Sequence, residues 1–428
     1  MRVRTSRTTA LLAGITLAGI TLAGTACGGG GGGATPGGAS PSAAPQSGPA
    51  GTLTIWTDDK RAPAMTAAGE RFTKESGVTV KVQTVAGETR QADFVTASQG
   101  DKAPDLVMGA HDWIGNLVRN GVIDPIPMTA DQTASFSPLA IKGVTFNGRV
   151  YGIPFAVENL VLFRNTDLAP QAPATFDDLV AAGKELKSAG KVSEVLAYPV
   201  GQNGDAYYAY PLYTSGGGYL FGQAANGDYE PADFGLAKPD AAKAMRNFAK
   251  YGEKGQGVLK RSIGTDNVAG VFTGKKSAFL VGGPWYISEI QKAGVPYDIS
   301  PVPGFAGGRP AKPFVGVQAL FVAAKGKNKA LAQEFATTYF TQPDVAVAFY
   351  RADPRPPALK AAFDQVKASD KDLEKLLAAG EGGDIMPAIP AMNAVWDPWG
   401  KAIAAVVGGA DPAATTVSAA KAIEAAIR

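Results

Sequence analysis

Charged and aromatic residues follow two predicted strands of this 428-residue chain at the points where the strands end. Asp58, Asp59 and Lys60 come directly after one strand. Asp112 and Trp113 lie shortly after another. Carboxylate and ammonium groups make charge-assisted hydrogen bonds, and an indole ring offers a flat apolar face. Because open α/β sheets bind ligands beyond the carboxyl ends of their strands, we expect these side chains to face one crevice.

Apolar periodicity and turn residues predict the elements that position these side chains. Strands are predicted over residues 52–56, 78–82, 105–108, 150–154, 160–163, 277–281 and 314–323. Helices are predicted over residues 62–76, 112–120, 176–188, 240–251, 329–340, 358–363 and 412–427. Strands and helices that alternate at these lengths are typical of an α/β fold with open parallel sheets.

Several kinds of chemistry lack the residues that they need. The chain has a single histidine, His111, and a single cysteine, Cys27, whereas a metal site needs clustered His, Cys and carboxylate ligands. We therefore expect no metal and no cofactor, and we interpret His111 as a buried, hydrogen-bonded core residue. A Ser-His-Asp triad cannot be built convincingly around it. The glycine-rich stretch 215–218 runs into Tyr219 and not into Lys-Ser/Thr, so a phosphate-binding loop is not predicted.

The N-terminal segment predicts export. Residues 1–26 form a basic start and an apolar stretch diluted by Gly and Thr, which is typical of a cleaved signal peptide. Small residues precede Cys27 as in a bacterial lipobox, although Gly24 replaces the usual Leu, Val or Ile. We predict that Cys27 is lipidated; the alternative is a signal peptide cut nearby. Residues 27–51, rich in Gly, Ala, Pro and Ser, are predicted to form a flexible linker.

The body of the chain carries no charge signal for nucleic acid. The formal net charge is +3, and the three arginines among the first seven residues account for all of it. A neutral body with mixed charges offers no basic patch. The roughly 375 residues after the linker are enough for two domains of ordinary size.

Six short stretches together resemble the maltose/maltodextrin-binding proteins of ABC sugar importers. They are Gly51-Thr-Leu-Thr-Ile-Trp56, Ala110-His-Asp-Trp-Ile-Gly115, Pro154-Phe-Ala-Val-Glu158, Gly283-Pro-Trp285, Lys312-Pro-Phe-Val-Gly-Val317 and Ile385-Met-Pro-Ala-Ile-Pro390. The resemblance implies a two-lobed, periplasmic-binding-protein-like fold of type II, with two open α/β sheets joined by a multi-crossing hinge. Lobe 1 would comprise residues 52–156 and 318–363, and lobe 2 residues 157–317 and 364–428.

The same resemblance implies a receptor and not an enzyme. The protein would capture a malto-oligosaccharide-like sugar by lobe closure and deliver it to the permease subunits of an ABC importer. It would be a monomer on the outer face of the cell membrane, held there by its lipid anchor only. A secreted glycoside hydrolase acting on α-glucans is the rival interpretation, since hydrolysis needs only two carboxylates. A receptor for another ligand class, such as a polyamine, is the third.

The resemblance also assigns binding residues, which suit a sugar because its rim carries hydroxyls and its faces carry C–H groups. Residues that match the family's hydrogen-bonding groups are Asp59, Lys60, Asp112, Glu158 and Asp205. Residues that match its stacking rings are Trp285, Trp396 and a tyrosine from the stretch with Tyr207, Tyr208 and Tyr210. Outside the resemblance, the rigid Pro-Arg-Pro-Pro loop could present Arg355 to the cleft.

Structural roles compete with several of these assignments. The alternatives are a solvated turn for Asp59 and Lys60, a helix cap for Asp112, a hinge brace for Glu158, a core position for Trp285, and packing alone for either Trp396 or Trp399.

The sequence departs from the family pattern at five places. The stretch Glu88-Thr89-Arg90-Gln91 replaces a pair of glutamates. Gly109 replaces a tryptophan, Trp113 an arginine, Thr265 a tyrosine and Gly400 an arginine. We predict that Trp113 stands in for the aromatic ring missing at Gly109. The expected ligand is therefore a related but not identical glucan: a malto-oligosaccharide, a cyclic one, trehalose or a modified pseudo-sugar.

Overall fold

The computed structural model describes residues 51–100 and 102–427. The predicted signal peptide, Cys27 and all of the predicted linker except Gly51 lie outside these residues. Within the described ranges, no helix is both long and apolar enough to cross a membrane.

Strands and helices alternate along most of the described chain. The strands are β1 (Thr52–Thr57), β2 (Thr79–Thr84), β3 (Leu106–Ala110), β4 (Thr145–Phe146), β5 (Arg149–Val150), β6 (Gly152–Asn159), β7 (Val161–Asn165), β8 (Phe221–Gln223), β9 (Tyr229–Phe234), β10 (Phe279–Gly282), β11 (Tyr297–Ser300), β12 (Phe314–Val322) and β13 (Asp384–Ile385). The α-helices are α1 (Ala62–Ser76), α2 (Gly87–Gln99), α3 (Ile114–Arg119), α4 (Ala130–Ala134), α5 (Pro138–Val144), α6 (Phe176–Ser188), α7 (Ala206–Ser215), α8 (Pro239–Tyr251), α9 (Val268–Thr273), α10 (Ile287–Lys292), α11 (Lys329–Glu334), α12 (Pro343–Ala352), α13 (Lys360–Lys367), α14 (Asp372–Gly380), α15 (Trp396–Val407) and α16 (Pro412–Ile427). Short 3₁₀ turns span His111–Trp113, Gly235–Ala237, Pro284–Tyr286 and Pro390–Ala394, and a π-helical turn spans Phe335–Tyr339.

Three predicted helices, α1, α6 and α16, are confirmed to the residue, and local signals explain the first two. Helix α1 ends at Gly77, whose φ of 74° is a left-handed conformation that glycine adopts readily. Helix α6 begins after Thr175, which exchanges capping hydrogen bonds with Asp178. The helix predicted over residues 329–340 is instead divided, because α11 passes into the π-helical turn.

The larger sheet is mixed, with the strand order β13-β12-β3-β1-β2 and β6 paired with β12. The neighbours β1, β2 and β3 are parallel, as predicted. Strand β12 runs antiparallel to both β3 and β6. Strand β12 therefore lies between β3, the nearest of the parallel strands, and β6.

The smaller sheet corrects the prediction of parallel strands. Its order is β10-β7-β11, and β7 is antiparallel to both neighbours. Strands β10 and β11 point the same way because α10 crosses between them, whereas β7 enters the gap from an earlier part of the chain. The alternation of strands and helices along the sequence predicts the crossover from β10 to β11. It does not predict that β7 lies between them, so it cannot give the direction of β7.

Buried apolar side chains form two clusters, named here the first core and the second core. The first core takes its members from residues 53–157 and 315–373, and the second from 160–314 and 376–423. The chain thus passes between the cores at the end of β6, at the start of β12 and after α13. The lobe boundaries that the resemblance implies stay a prediction.

Candidate functional site

The turn after β1 holds Asp59 and Lys60, and both residues are exposed. Strand β1 contributes to the first core, whereas Trp285 packs against the second. Lys60 Nζ donates a hydrogen bond to the carbonyl oxygen of Trp285 at 3.4 Å. This turn therefore faces the second core, at the end of β1 where the sequence pattern predicts a crevice.

Behind the turn, Asp58 contacts two buried arginines, Arg61 and Arg90. Its carboxylate accepts from the Arg61 backbone N–H at 3.0 Å and lies 3.4 Å from Arg61 Nε and 3.5 Å from Arg90 Nη1. Arg61 Nε also lies 3.4 Å from a carboxylate oxygen of Asp353. Burial would raise the pKa of Asp58, but the two guanidinium groups outweigh it and hold the pKa below its usual value. Asp58 is therefore ionised and fixes the base of the turn.

Glu158 and Arg355 form an ion pair whose side chains are 9% and 10% exposed. Glu158 Oε2 lies 2.5 Å from Arg355 Nε, and Glu158 Oε1 accepts from Gln318 Nε2 at 2.9 Å. Arg355 also pairs with Asp353. Gln318 thus donates a hydrogen bond to Oε1, whereas Oε2 is held by the ion pair alone and has no hydrogen-bond partner among the described residues. Because Gln318 and the Arg355 charge already hold this carboxylate, the geometry favours its alternative role as a brace over direct contact with a ligand.

Trp285 is held by a glycine, an arginine and a tyrosine. A Cβ at Gly283 would lie 2.2 Å from Cη2 of the indole, so the ring occupies the space that glycine leaves. The Arg355 guanidinium is 5.5 Å from the ring centroid, within cation–π range. The indole Nε1 donates to Tyr208 Oη at 3.1 Å, and Tyr208 Oη donates to Tyr286 Oη at 3.2 Å. Trp285 itself is half-buried, which distinguishes it from a core tryptophan.

The segment that begins α7 contains residues with different roles. Asp205 caps the helix, because its Oδ1 accepts from the Tyr208 backbone N–H at 3.1 Å, and burial raises the pKa of Asp205. Tyr208 is buried and supports Trp285 through its hydroxyl. Tyr207 is half-buried, and its ring stacks on Phe314 with centroids 6.3 Å apart. The Tyr207 hydroxyl is buried without a hydrogen-bond partner among the described residues, so Tyr207 is the better candidate for a ligand contact.

Asp112 and Trp396 lie together. Asp112 belongs to a 3₁₀ turn, and its Oδ1 is buried without a partner among the described residues. Burial raises the pKa of Asp112 to about 7, although its own backbone N–H and the Trp396 side chain favour the charged form. Trp396 is half-buried and meets Phe314 edge-on at 6.1 Å, whereas Trp399 is fully buried against Tyr213. The tryptophan with an accessible surface is therefore Trp396.

His111 is confirmed as a buried, hydrogen-bonded residue. The Val317 backbone N–H donates to its Nδ1 at 2.9 Å, so Nε2 carries the proton and donates to the Met386 carbonyl oxygen at 2.8 Å. Burial lowers the pKa of His111 to about 4, which keeps the ring neutral. His111 thus ties strand β12 to the segment after β13.

Close packing disfavours a side chain at one of the positions that depart from the family pattern. A Cβ at Gly204, which has a φ of +74°, would lie only 1.7 Å from the carbonyl oxygen of Gly400. The start of α15 and the loop before α7 therefore touch through their backbones. An arginine at position 400 would meet this loop, since its Cβ would lie 3.1 Å from the Gly204 carbonyl oxygen.

Five of the predicted residues, together with Phe314, form one set of contacts, which runs from Lys60 through Trp285, Tyr207, Phe314 and Trp396 to Asp112. Half-buried rings beside carboxylates and cations suit a ligand with apolar faces and many hydroxyls. The part of the chain that the structure describes has no group of three or more His, Cys, Asp or Glu suited to a metal ion. The sequence did not assign six contributors to this region: Arg61, Arg90, Tyr286, Phe314, Gln318 and Asp353. Only Phe314 had a signal, because it lies in a stretch that carried the resemblance.

The sequence of the chain is similar to those of known bacterial binding proteins. The family described as bacterial extracellular solute-binding protein matches residues 67–378. The galactooligosaccharide-binding protein of Bacillus subtilis (strain 168) is 27% identical over 375 residues, which cover 86% of this chain and 88% of the relative. The maltodextrin-binding protein MdxE of the same organism is 30% identical over 353 residues, or 80% and 82% of the two chains. A maltooligosaccharide ABC transporter solute-binding lipoprotein of Streptococcus pneumoniae (strain ATCC BAA-255 / R6) is 28% identical over 378 residues, or 86% of each chain.

Proposed function

Because the chain belongs to the family of bacterial extracellular solute-binding proteins, we propose that it binds a malto-oligosaccharide-like sugar between its two cores and delivers it to an ABC importer. One observation carries this proposal: the half-buried rings of Tyr207, Trp285 and Trp396 are linked by contacts to Asp112, which has a buried oxygen without a partner among the described residues. Ring faces stack on sugar C–H surfaces, and carboxylates accept from sugar hydroxyls.

The mechanism follows from the contacts between the cores. Lys60 reaches the Trp285 carbonyl oxygen, and Arg355 lies beside the Trp285 ring. A buried polar atom without a partner costs about 1–3 kcal/mol, and both Asp112 Oδ1 and Tyr207 Oη are in this position. Sugar hydroxyls would supply the missing partners. A bound sugar therefore favours the closed arrangement, whose population rises because only that arrangement offers all of these contacts.

The identity of the sugar is the first point to test. The named relatives divide between malto-oligosaccharides and galacto-oligosaccharides. We expect maltotriose to raise the melting temperature most in a panel with maltose, trehalose, α-cyclodextrin and galactotriose, because a ligand stabilises the folded state that it binds. A rise in melting temperature with galactotriose alone would show that the ligand is a galacto-oligosaccharide and not a malto-oligosaccharide. The absence of a shift with any sugar would contradict the proposal.

Trp285→Ala and Trp396→Ala are each expected to weaken maltotriose binding by about 1–3 kcal/mol, because each removes an aromatic face from the sugar. Isothermal titration calorimetry gives the affinities, and Trp285→Phe and Trp396→Phe are matched controls that keep a flat ring. The controls should retain most of the affinity. Wild-type affinity in both alanine variants would show that neither ring stacks on the sugar.

A glycoside hydrolase remains the second candidate because of one observation. Asp112, with its pKa raised to about 7, lies near enough to Glu158 for their charges to interact, and glycosidases pair a protonated acid with a second carboxylate. However, Arg355 and Gln318 engage both oxygens of Glu158. We therefore infer binding without hydrolysis. Incubation with maltodextrin should release no new reducing ends, and turnover that Asp112→Asn abolishes would establish the hydrolase instead.

We infer that Cys27 carries a lipid anchor that holds the protein outside the cell. The small residues before Cys27 support this inference, as does the Streptococcus pneumoniae relative named a lipoprotein. Cys27→Ser is expected to abolish labelling with radioactive palmitate and to move the protein from the membrane fraction to the medium. Ser47→Ala, in the same linker, should leave both unchanged. Palmitate labelling of the Cys27→Ser protein would refute the anchor.

A further inference from the structure

The ring of Trp113 occupies the space where a side chain at position 109 would lie. A Cβ at Gly109 would be 2.2 Å from Cζ3 and 2.3 Å from Cε3 of the indole. Real Cβ atoms do not approach carbon this closely, so no residue other than glycine allows this ring position. Gly109 lies in β3, where it pairs with Ala319 of β12, and its backbone is thus a fixed surface beneath the ring.

Arg90 approaches the same ring from helix α2. Its guanidinium carbon is 5.8 Å from the Trp113 ring centroid, within the range of a cation–π contact. Arg90 is 5% exposed, and its Nη1 donates to the Val85 carbonyl oxygen at 3.2 Å and to Asp58 Oδ2 at 3.5 Å. These contacts fix the guanidinium relative to the turn after β1, which also carries Lys60.

Trp285 has the same surroundings in the second core. Its ring lies on Gly283, and Arg355 is 5.5 Å from the ring centroid. Trp113 packs against the first core and is also half-buried. In both places a tryptophan ring therefore lies on a glycine and beside an arginine side chain that is at most 10% exposed. Since Trp285 is a proposed sugar contact, this likeness indicates the same use for Trp113.

We propose that Gly109 and Arg90 are positioning residues, which together hold Trp113 so that its ring stacks on the bound sugar. They thereby determine which sugars the first core accepts, because a larger residue at position 109 would displace the ring. This inference rests on the proposed function and names residues that act on the ligand through Trp113.

A double-mutant cycle tests the role of Gly109. Maltotriose binding is measured by calorimetry for the wild type, Gly109→Ala, Trp113→Ala and the double variant. Each single variant should lose affinity ~tenfold, and the double variant should lose no more than ~twofold beyond Trp113→Ala, because Gly109 acts only through the ring. Gly270→Ala is the matched control, since a Cβ there meets nothing within 4 Å, and it should bind as the wild type does.

The outcomes separate this inference from the proposed function. If the wild type binds no sugar of the panel, the proposed function fails. If the wild type binds and Trp113→Ala binds equally well, or if the two losses simply add, the inference is overturned. Gly109→Ala should also change the near-ultraviolet circular dichroism of the tryptophans in the same direction as Trp113→Ala, and an unchanged spectrum would count against it.

Arg90 is tested separately because its loss leaves Gly109 intact. Arg90→Met should weaken maltotriose binding ~threefold or more, and Arg90→Lys, which keeps a cation near the ring, should recover part of the loss. Asp58 keeps Arg61 as a partner in both variants, so the fold is expected to persist. Equal affinity of Arg90→Met and the wild type would overturn the role of Arg90.

Discussion

Arg355→Met is expected to lower the free energy of unfolding by about 3–5 kcal/mol, because removing one partner of a buried ion pair leaves an uncompensated charge. Arg355 contacts the carboxylates of both Glu158 and Asp353, whose side chains are 9% and 4% exposed. Gln318 would still donate to Glu158, and Arg61 would still lie near Asp353. Neither contact replaces the charge of Arg355. Urea unfolding at neutral pH measures the loss.

Two further variants show whether the loss comes from the buried charge. Glu158→Gln combined with Arg355→Met should recover part of the stability, since the neutral amide removes the uncompensated charge. Lys401→Met is the surface control, because Lys401 pairs with Asp397 where the side chains are 60% and 70% exposed. We expect it to cost less than about 1 kcal/mol. An equally small loss for Arg355→Met would contradict the ion-pair assignment.

In Asp112→Asn the free energy of unfolding is expected to rise between about pH 4.5 and pH 6.5. Over this range it should gain about 2–3 kcal/mol on that of the wild type. Burial raises the pKa of Asp112 from 3.8 to about 7, so its contribution is present at low pH and is lost as the pH rises through this window. Burial lowers the pKa of His111 from 6.5 to about 4, so its contribution is present above the window and is lost as the pH falls. In the wild type these adjacent groups oppose each other.

Urea unfolding at three pH values in this window tests the opposition. In Asp112→Asn only the contribution of His111 changes with pH, so the free energy of unfolding should rise as the pH rises. In His111→Gln only the contribution of Asp112 changes, so the free energy of unfolding should fall as the pH rises. Each substitution also changes stability by an amount that does not depend on pH. The comparison between proteins is therefore the change in the free energy of unfolding across the three pH values. Parallel curves for the wild type and Asp112→Asn would refute the raised pKa of Asp112.

The sequence predicts the parts of the fold that depend on neighbouring residues. Helix α1 is found to the residue because Gly77 ends it, and α6 because Thr175 and Asp178 begin it. The direction of β7 is not predictable in this way, since its partners β10 and β11 come from more than 100 residues further along the chain. Two-residue strands such as β13 leave no periodicity to detect.

In the candidate site too, the sequence predicts features carried by short stretches but not contacts between distant residues. Resemblance selects Trp285, Trp396 and Asp112, which the structure connects through Tyr207 and Phe314. It does not show that Glu158 is engaged by Arg355, because the two are far apart in the chain and meet only where β6 approaches the loop after α12. Close contacts such as Trp113 on Gly109 depend on atomic distances, which no pattern of residue types reveals.

Calorimetric titration of the purified wild-type protein with maltotriose tests the central claim most directly. We expect saturable binding of one sugar per chain, with a negative heat-capacity change from buried ring surface and a clear loss of affinity in Trp285→Ala. Heats no larger than those of dilution, for maltotriose and for every other sugar of the panel, would contradict it.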